Sequence, residues 1–183
     1  MTNPRCPTID QCHRMMAAME MPAHIVAHST RVSRVALWLC DALNAVAPCL
    51  DRDLVEAAGL LHDITKARSF ATGENHAASG EIYLGEQGFR QVGRIVAQHV
   101  KLEVFDPAGP PTEAEVVNYA DKRVLHDRIV SLDHRMAYIL ERYGAADEVR
   151  RRRIMALWHE TRRLEAKLFR QLDCGPEAVE QPG

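Results

Sequence analysis

Apolar residues recur at three- and four-residue spacing along most of this chain, and the breaks fall at proline and glycine, with no strand-like alternation. The spacing predicts a first short helix from about Asp10 to Glu20, after a turn at Asn3, Pro4 and Pro7, with Met15, Met16 and Met19 on its inward stripe. Pro22 separates it from a long amphipathic helix running from Ala23 to about Ala45 through Ile25, Val32, Val35, Ala36, Leu39 and Leu43. Beyond Pro48, Asp51 is placed to cap a largely buried helix, DLVEAAGLLHDITKA, and SFATGEN reads as a loop. Further helices are predicted from near Asn75 to the stop at Gly85 and Gly88, and from about Phe89 to Val100. The proline-rich EVFDPAGPPTEAE is irregular, and Thr112 with Glu115 forms a capping box that opens EAEVVNYADKRV.

Two more helices are expected, Ser131 to Tyr143 and Ala145 to Leu172. The fold class is therefore all-α, a helical bundle with a long C-terminal helix: one domain over residues 1–172 and a flexible tail over 173–183. Ile154, Leu157, Trp158, Leu164 and Leu168 give the last helix a stripe that packs on the bundle or on a second copy of the chain, which makes a homodimer an expected assembly.

Composition narrows the function classes. With 183 residues, 46% apolar and 26% charged, the chain suits a globular domain and excludes disordered, collagen-like and disulfide-stapled classes. Lys and Arg number 23 against 25 Asp and Glu, so the net charge of -2 gives no protein-wide pull on nucleic acid, which is not an expected partner. The run Arg150 to Arg153 spreads its charge around a helix axis and reads as a solvated face. Five cysteines, with no CxxC pair, read as reduced thiols in a cytoplasm. The opening residues lack the apolar stretch of a signal peptide or membrane span.

The chemistry concentrates at His62 and Asp63, adjacent inside the otherwise apolar run AAGLLHDI. Burying a carboxylate beside an imidazole is costly unless the two are paired or bound to metal. Neighbouring elements add His28, His99 and Asp121 on inward faces, and His76 at the start of a helix. Four histidines and two aspartates suffice for two divalent metals with Asp63 between them. A mixed imidazole and carboxylate set favours iron or manganese, then magnesium, over structural zinc.

In order, HSTRVSRVA, LLHDITK, NHAASG, IVAQH and NYADKRV resemble the motifs of the HD superfamily of metal-dependent phosphohydrolases, over a core from His28 to Asp121. The resemblance implies an all-helical domain in which His28, His62, Asp63 and Asp121 hold a first metal and His76 and His99 a second, with Asp63 shared. It implies hydrolysis of a phosphate ester or anhydride in a small phosphorylated or nucleotide-like metabolite. The extra histidines look like those of small bacterial hydrolases of symmetrical dinucleoside tetraphosphates, although the chain has HVKLEVFD and ADKRVLHDR where those enzymes carry other residues. Asp63 and Lys66 are the expected catalytic residues. Lys66 lies at helical spacing from both members of the HD pair, and Lys66, Arg31, Lys122 and Arg123 are the candidates for phosphate. A metal-stabilised binding or regulatory module without turnover is the competing class.

Overall fold

The computed structural model describes residues 6–144 and 147–180. It is predominantly helical, as expected: α1 (Ile9–Ala18), α2 (Ala23–Val46), α3 (Arg52–Leu61), α4 (Lys66–Thr72), α5 (His76–Glu86), α6 (Arg90–Val96), α7 (Glu113–Lys122), α8 (Leu132–Tyr143) and α9 (Glu148–Phe169). The expected opening turn at Asn3 and Pro4, and the expected helix start at Ala145, lie outside the described residues. Capping follows the chemistry of the side chains. Asp51 accepts from the backbone of Asp53 and Leu54, and Thr112 with Glu115 closes the capping box on α7.

Three local expectations change. The helix through the HD pair ends at Leu61, turns over residues 62–65 and resumes as α4, so part of the expected SFATGEN loop is helical until Gly73, at φ 73°, stops it. A two-residue antiparallel hairpin, β1 (Val124–Leu125) with β2 (Arg128–Ile129), follows α7, too short to leave an alternating pattern. The expected frayed tail folds back in part: Pro176–Glu180 is a 3-10 turn whose Val179 is fully buried, and the Pro176 carbonyl accepts from Arg123.

A contiguous set of buried apolar side chains runs from Cys12 and Met16 in α1, through Val32, Val35 and Leu39 in α2 and Leu61 and Val96, to Leu164 and Leu168 in α9. The α2 and α3 backbones approach so closely that a Cβ on Gly59 would sit 2.7 Å from Cα of Ser33. On the far side, Lys167 and Glu115 form a buried ion pair, with Nζ 2.6 and 2.7 Å from the two carboxylate oxygens, and this pins α9 to α7. No helix among the described residues is long and apolar enough to cross a membrane.

The five cysteines are unpaired, and burial distinguishes them. Burial, reinforced by Glu56, pushes the Cys12 thiol up to about 12, and burial with Asp41 nearby pushes Cys40 up to about 11. Because the thiolate is the reactive form, only about one Cys12 in ten thousand would be ionised at pH 8. Thiol titration of the native protein is expected to modify the exposed Cys49 and Cys174 first, and Cys12 and Cys40 only after denaturant is added. Equal rates for all five would contradict this core.

Candidate metal centre

Local structure places each polar side chain. His28 lies on the inward face of α2, between Ile25 and Val32. His62 and Asp63 stand at the turn that ends α3, and Asn75 caps α5 so that His76 is its first residue. His99 follows α6, and Asp121 sits in the last turn of α7.

The five inner side chains converge. Asp63 turns Oδ1 toward His76 and His99, with Nε2 at 3.3 and 3.6 Å, and Oδ2 toward His62 Nε2 at 3.4 Å. Two groups, His28 with His62 and Asp63, and Asp63 with His76 and His99, bring their ligand atoms within 4.8 Å of one another. Asp121 adds Oδ1, 3.1 Å from His28 Nε2 and 3.7 Å from His62 Nε2. All six residues singled out in the sequence as metal ligands therefore meet, with Asp63 common to both groups.

Three imidazoles are oriented by their outer nitrogens. Nδ1 of His28 lies 2.7 Å from the His126 carbonyl, that of His62 2.8 Å from Gly59, and that of His99 2.7 Å from Val96. A carbonyl only accepts, so each Nδ1 carries the hydrogen and each ring turns its Nε2 inward, where a cation or a proton can meet the lone pair. His99 and His76 bring their Nε2 atoms to 3.0 Å, and both His62 Nε2 and Asp63 Oδ1 are buried with no hydrogen-bond partner.

Lone pairs and carboxylate oxygens facing one another at this density need a cation. Two donors at right angles on an ion, each bound at about 2.1 Å, would lie about 3.0 Å apart. The observed separations of 3.0 and 3.1 Å match such edges, so the donor set fits divalent metal.

Further residues hold these donors in place. Thr65 donates its hydroxyl to the His76 carbonyl at 2.7 Å. From one face of α7, Asn118 donates to the Gln98 carbonyl at 2.7 Å and Lys122 to that of His99 at 2.5 Å. The His126 carbonyl is offered by a hairpin residue at φ 56°, a left-handed conformation uncommon outside glycine.

Charge in the centre is strongly coupled. Burial works against ionisation of Asp63 and Asp121, yet their neighbours hold both carboxyls well below the usual range: His62, His76 and His99 for Asp63, and His28 with Lys122 for Asp121. Burial drives His99 down, toward the neutral form a metal requires. For His62, burial is outweighed by Asp63, and the imidazole is raised.

The phosphate candidates separate. Lys66 opens α4 across the turn, so it is not on the helix of His62. The turn still brings its Nζ 2.7 Å from Asp63 Oδ2, beside a cavity of about 490 Å³ also lined by His28, His76 and His126. Lys122 lies behind the centre, on the His99 carbonyl. Arg31 donates to the Asp127 carbonyl and braces the hairpin.

Arg123 is the clear departure. It is 1% exposed, donates to the Val130 carbonyl, the Tyr119 hydroxyl and the Pro176 carbonyl, and stands 4.0 Å from Glu165. One position past Lys122, it faces the C-terminal helix rather than the cavity.

Two residues that the sequence did not distinguish join the cavity wall. His126 supplies the carbonyl for His28 and packs edge-on against Tyr138, and Arg135 of α8 lines the cavity with a buried Nε that has no hydrogen-bond partner. The only signal for Arg135 was its helical spacing from Tyr138 and Ile139.

Residues 25–124 match the HD domain family, more than half of the chain, and the chain belongs to that family. Its fold is that of an HD-domain metal-dependent phosphohydrolase, with two His/Asp clusters consistent with a binuclear divalent site. Over 143 residues it is 30% identical to the tRNA (cytidine(56)-2'-O)-methyltransferase of Picrophilus torridus, covering 71% of this chain but only 40% of that protein. It is 28% identical over 134 residues to an uncharacterized protein of Methanocaldococcus jannaschii, covering 66% of this chain and 78% of the relative. No solved structure gives a significant match.

The close approach at Gly59 positions both His28 and His62, because the Gly59 carbonyl orients His62 and its Cα packs on α2. Gly59→Ala would force the helices apart, and overpacking of this kind costs about 1–3 kcal/mol. A lower denaturation midpoint together with weaker manganese binding is expected. Unchanged values for both would contradict the packing described.

Proposed function

We propose that this protein is a binuclear metal-dependent phosphohydrolase acting on a small phosphorylated or nucleotide-like metabolite. The supporting observation is the convergence of three fixed imidazole lone pairs on a carboxylate that turns one oxygen to each cluster. In this reading His28, His62, Asp63 and Asp121 hold one metal, and Asp63, His76 and His99 the other. The imidazole-rich set favours iron or manganese, with magnesium the weaker fit.

Two such cations, when bound, acidify water and neutralise phosphoryl charge. Asp63 keeps the two clusters in fixed relation, its ionised form secured by the surrounding histidines. Lys66, a third exposed at its side chain beside the buried Asp63, presents an ammonium to a non-bridging phosphate oxygen. Water adds to phosphorus, the bond to the leaving oxygen breaks, and that oxygen leaves with a proton.

Within enzymes, motif order makes symmetrical dinucleoside tetraphosphates an alternative substrate class, which HVKLEVFD and ADKRVLHDR weaken. The methyltransferase activity in the name of the Picrophilus relative is not carried over, since the shared region is under half of that protein and the donor set suits phosphoryl chemistry. The intact ligand set and Lys66 favour an enzyme over a binding module. The unpaired cysteines favour a reducing cytoplasm, and residues 1–172 read as one HD-type unit.

Anaerobic purification with metal analysis, then a phosphate-release screen over dinucleoside polyphosphates, mononucleotides, cyclic dinucleotides and sugar phosphates, tests this function. Near two metals per chain and one preferred substrate class are expected, with Asp63→Ala reduced to background. Replacing His76 and His99 together by Ala is expected to leave one metal. Absence of Asp63-dependent turnover throughout the panel would favour the binding module.

A further inference from the structure

A second cavity, of about 190 Å³, opens beside the metal-centre cavity and shares Val100, Arg135 and Ile139 with it. Asp121 and Lys122 of α7 also line it, and the rest of its wall is largely apolar: Met136 of α8 and Ile154, Leu157 and Trp158 of α9. Thr161 also lines it, but its hydroxyl proton is given to the Leu157 carbonyl. An enclosed apolar cavity of about 150 Å³ takes up benzene, so this volume accommodates a six-membered ring.

Arg135 stands at the junction. Its Nε is buried without a hydrogen-bond partner, and it shares the wall of the first cavity with Lys66 and that of the second with Lys122. Cations on the walls of a cavity that adjoins a site fitted to divalent metal favour an anion there. Away from Arg135, Lys122 and Asp121, the α8/α9 wall of the second cavity is apolar and suits an uncharged group attached to an anion.

Resting on the hydrolase reading, we infer that the substrate is a phosphate ester bearing a compact uncharged ring, that the ring sits in the α8/α9 cavity, and that Arg135 holds the phosphate at the junction. The metal ligands lie within residues 25–124, whereas the ring-selecting residues of α8 and α9 lie beyond that segment. With Met136, Ile154 and Leu157 around it, the seat selects the ring mainly by shape and burial.

Methylphosphonate and phenylphosphonate, which are not hydrolysed, test this by equilibrium binding to the manganese-loaded protein. Removing a phenyl ring from water is expected to make phenylphosphonate bind at least about tenfold more tightly. Ile154→Phe, which fills the cavity, is expected to bring phenylphosphonate down to the affinity of methylphosphonate. Arg135→Gln is expected to weaken both ligands by similar factors.

In a Trp38→Phe background, phenylphosphonate alone is expected to shift Trp158 emission, which locates the ring. Equal wild-type affinities, a phenyl preference that survives Ile154→Phe, or no effect of Arg135→Gln would overturn the inference and leave the hydrolase reading standing. If metal loads but neither phosphonate binds, the hydrolase reading falls with it.

Discussion

The structure depends on a concentration of lone pairs at its centre. His28, His62 and His99 spend their Nδ1 hydrogens on backbone carbonyls, so their Nε2 atoms face Asp63 and Asp121 as acceptors. Buried acceptors facing acceptors are destabilising unless a proton or a cation lies between them. The fold must therefore hold these groups together against their own repulsion. Its rigid parts are the ones that do so: the tight α2/α3 contact at Gly59, the turn at Thr65, and the α7 face that carries Asn118 and Lys122.

Further strength for this arrangement comes from the contacts of α7 with α9 and the C-terminal turn. Glu115 serves twice, closing the cap on Thr112 and pairing with buried Lys167, while Arg123 joins Tyr119, the hairpin and the C-terminal 3-10 turn. Breaking one partner of a buried pair costs about 3–5 kcal/mol, because the remaining charge is stranded. Such contacts fix the rotation of α7 about its axis and, through it, the direction of Asp121. Helix α8 walls the cavity in front of the centre, and α9 walls the second cavity beside it.

Much of this was legible in the chain. Helix order followed from apolar spacing, and five of the six donors stood out because charged or imidazole groups interrupted apolar faces, while His76 was placed by its position at a helix start and by the resemblance. Less visible were features set by tertiary contact. The break after Leu61 leaves no proline or glycine at residues 62–65, and the hairpin at 124–129 spans only two residues per strand. Arg123 and Lys122 are adjacent in sequence but about 100° apart around the helix axis and meet different partners, so a basic pair read as one phosphate site divides into a structural pillar and a brace on His99. His126 acts through its carbonyl, which no side-chain pattern reveals, and Arg135 reaches the centre only because α8 folds over it.

The central claim is that His28, His62 and His99 present unprotonated Nε2 atoms to a divalent cation. Nitrogen-15 NMR of the histidine rings tests it directly, in metal-free protein near neutral pH and then during titration with diamagnetic zinc. The account predicts a hydrogen on Nδ1 of all three residues, with zinc shifting their Nε2 resonances and leaving Nδ1–H in place. Nε2–H tautomers in the metal-free protein, or zinc shifts confined to Nδ1, would contradict it.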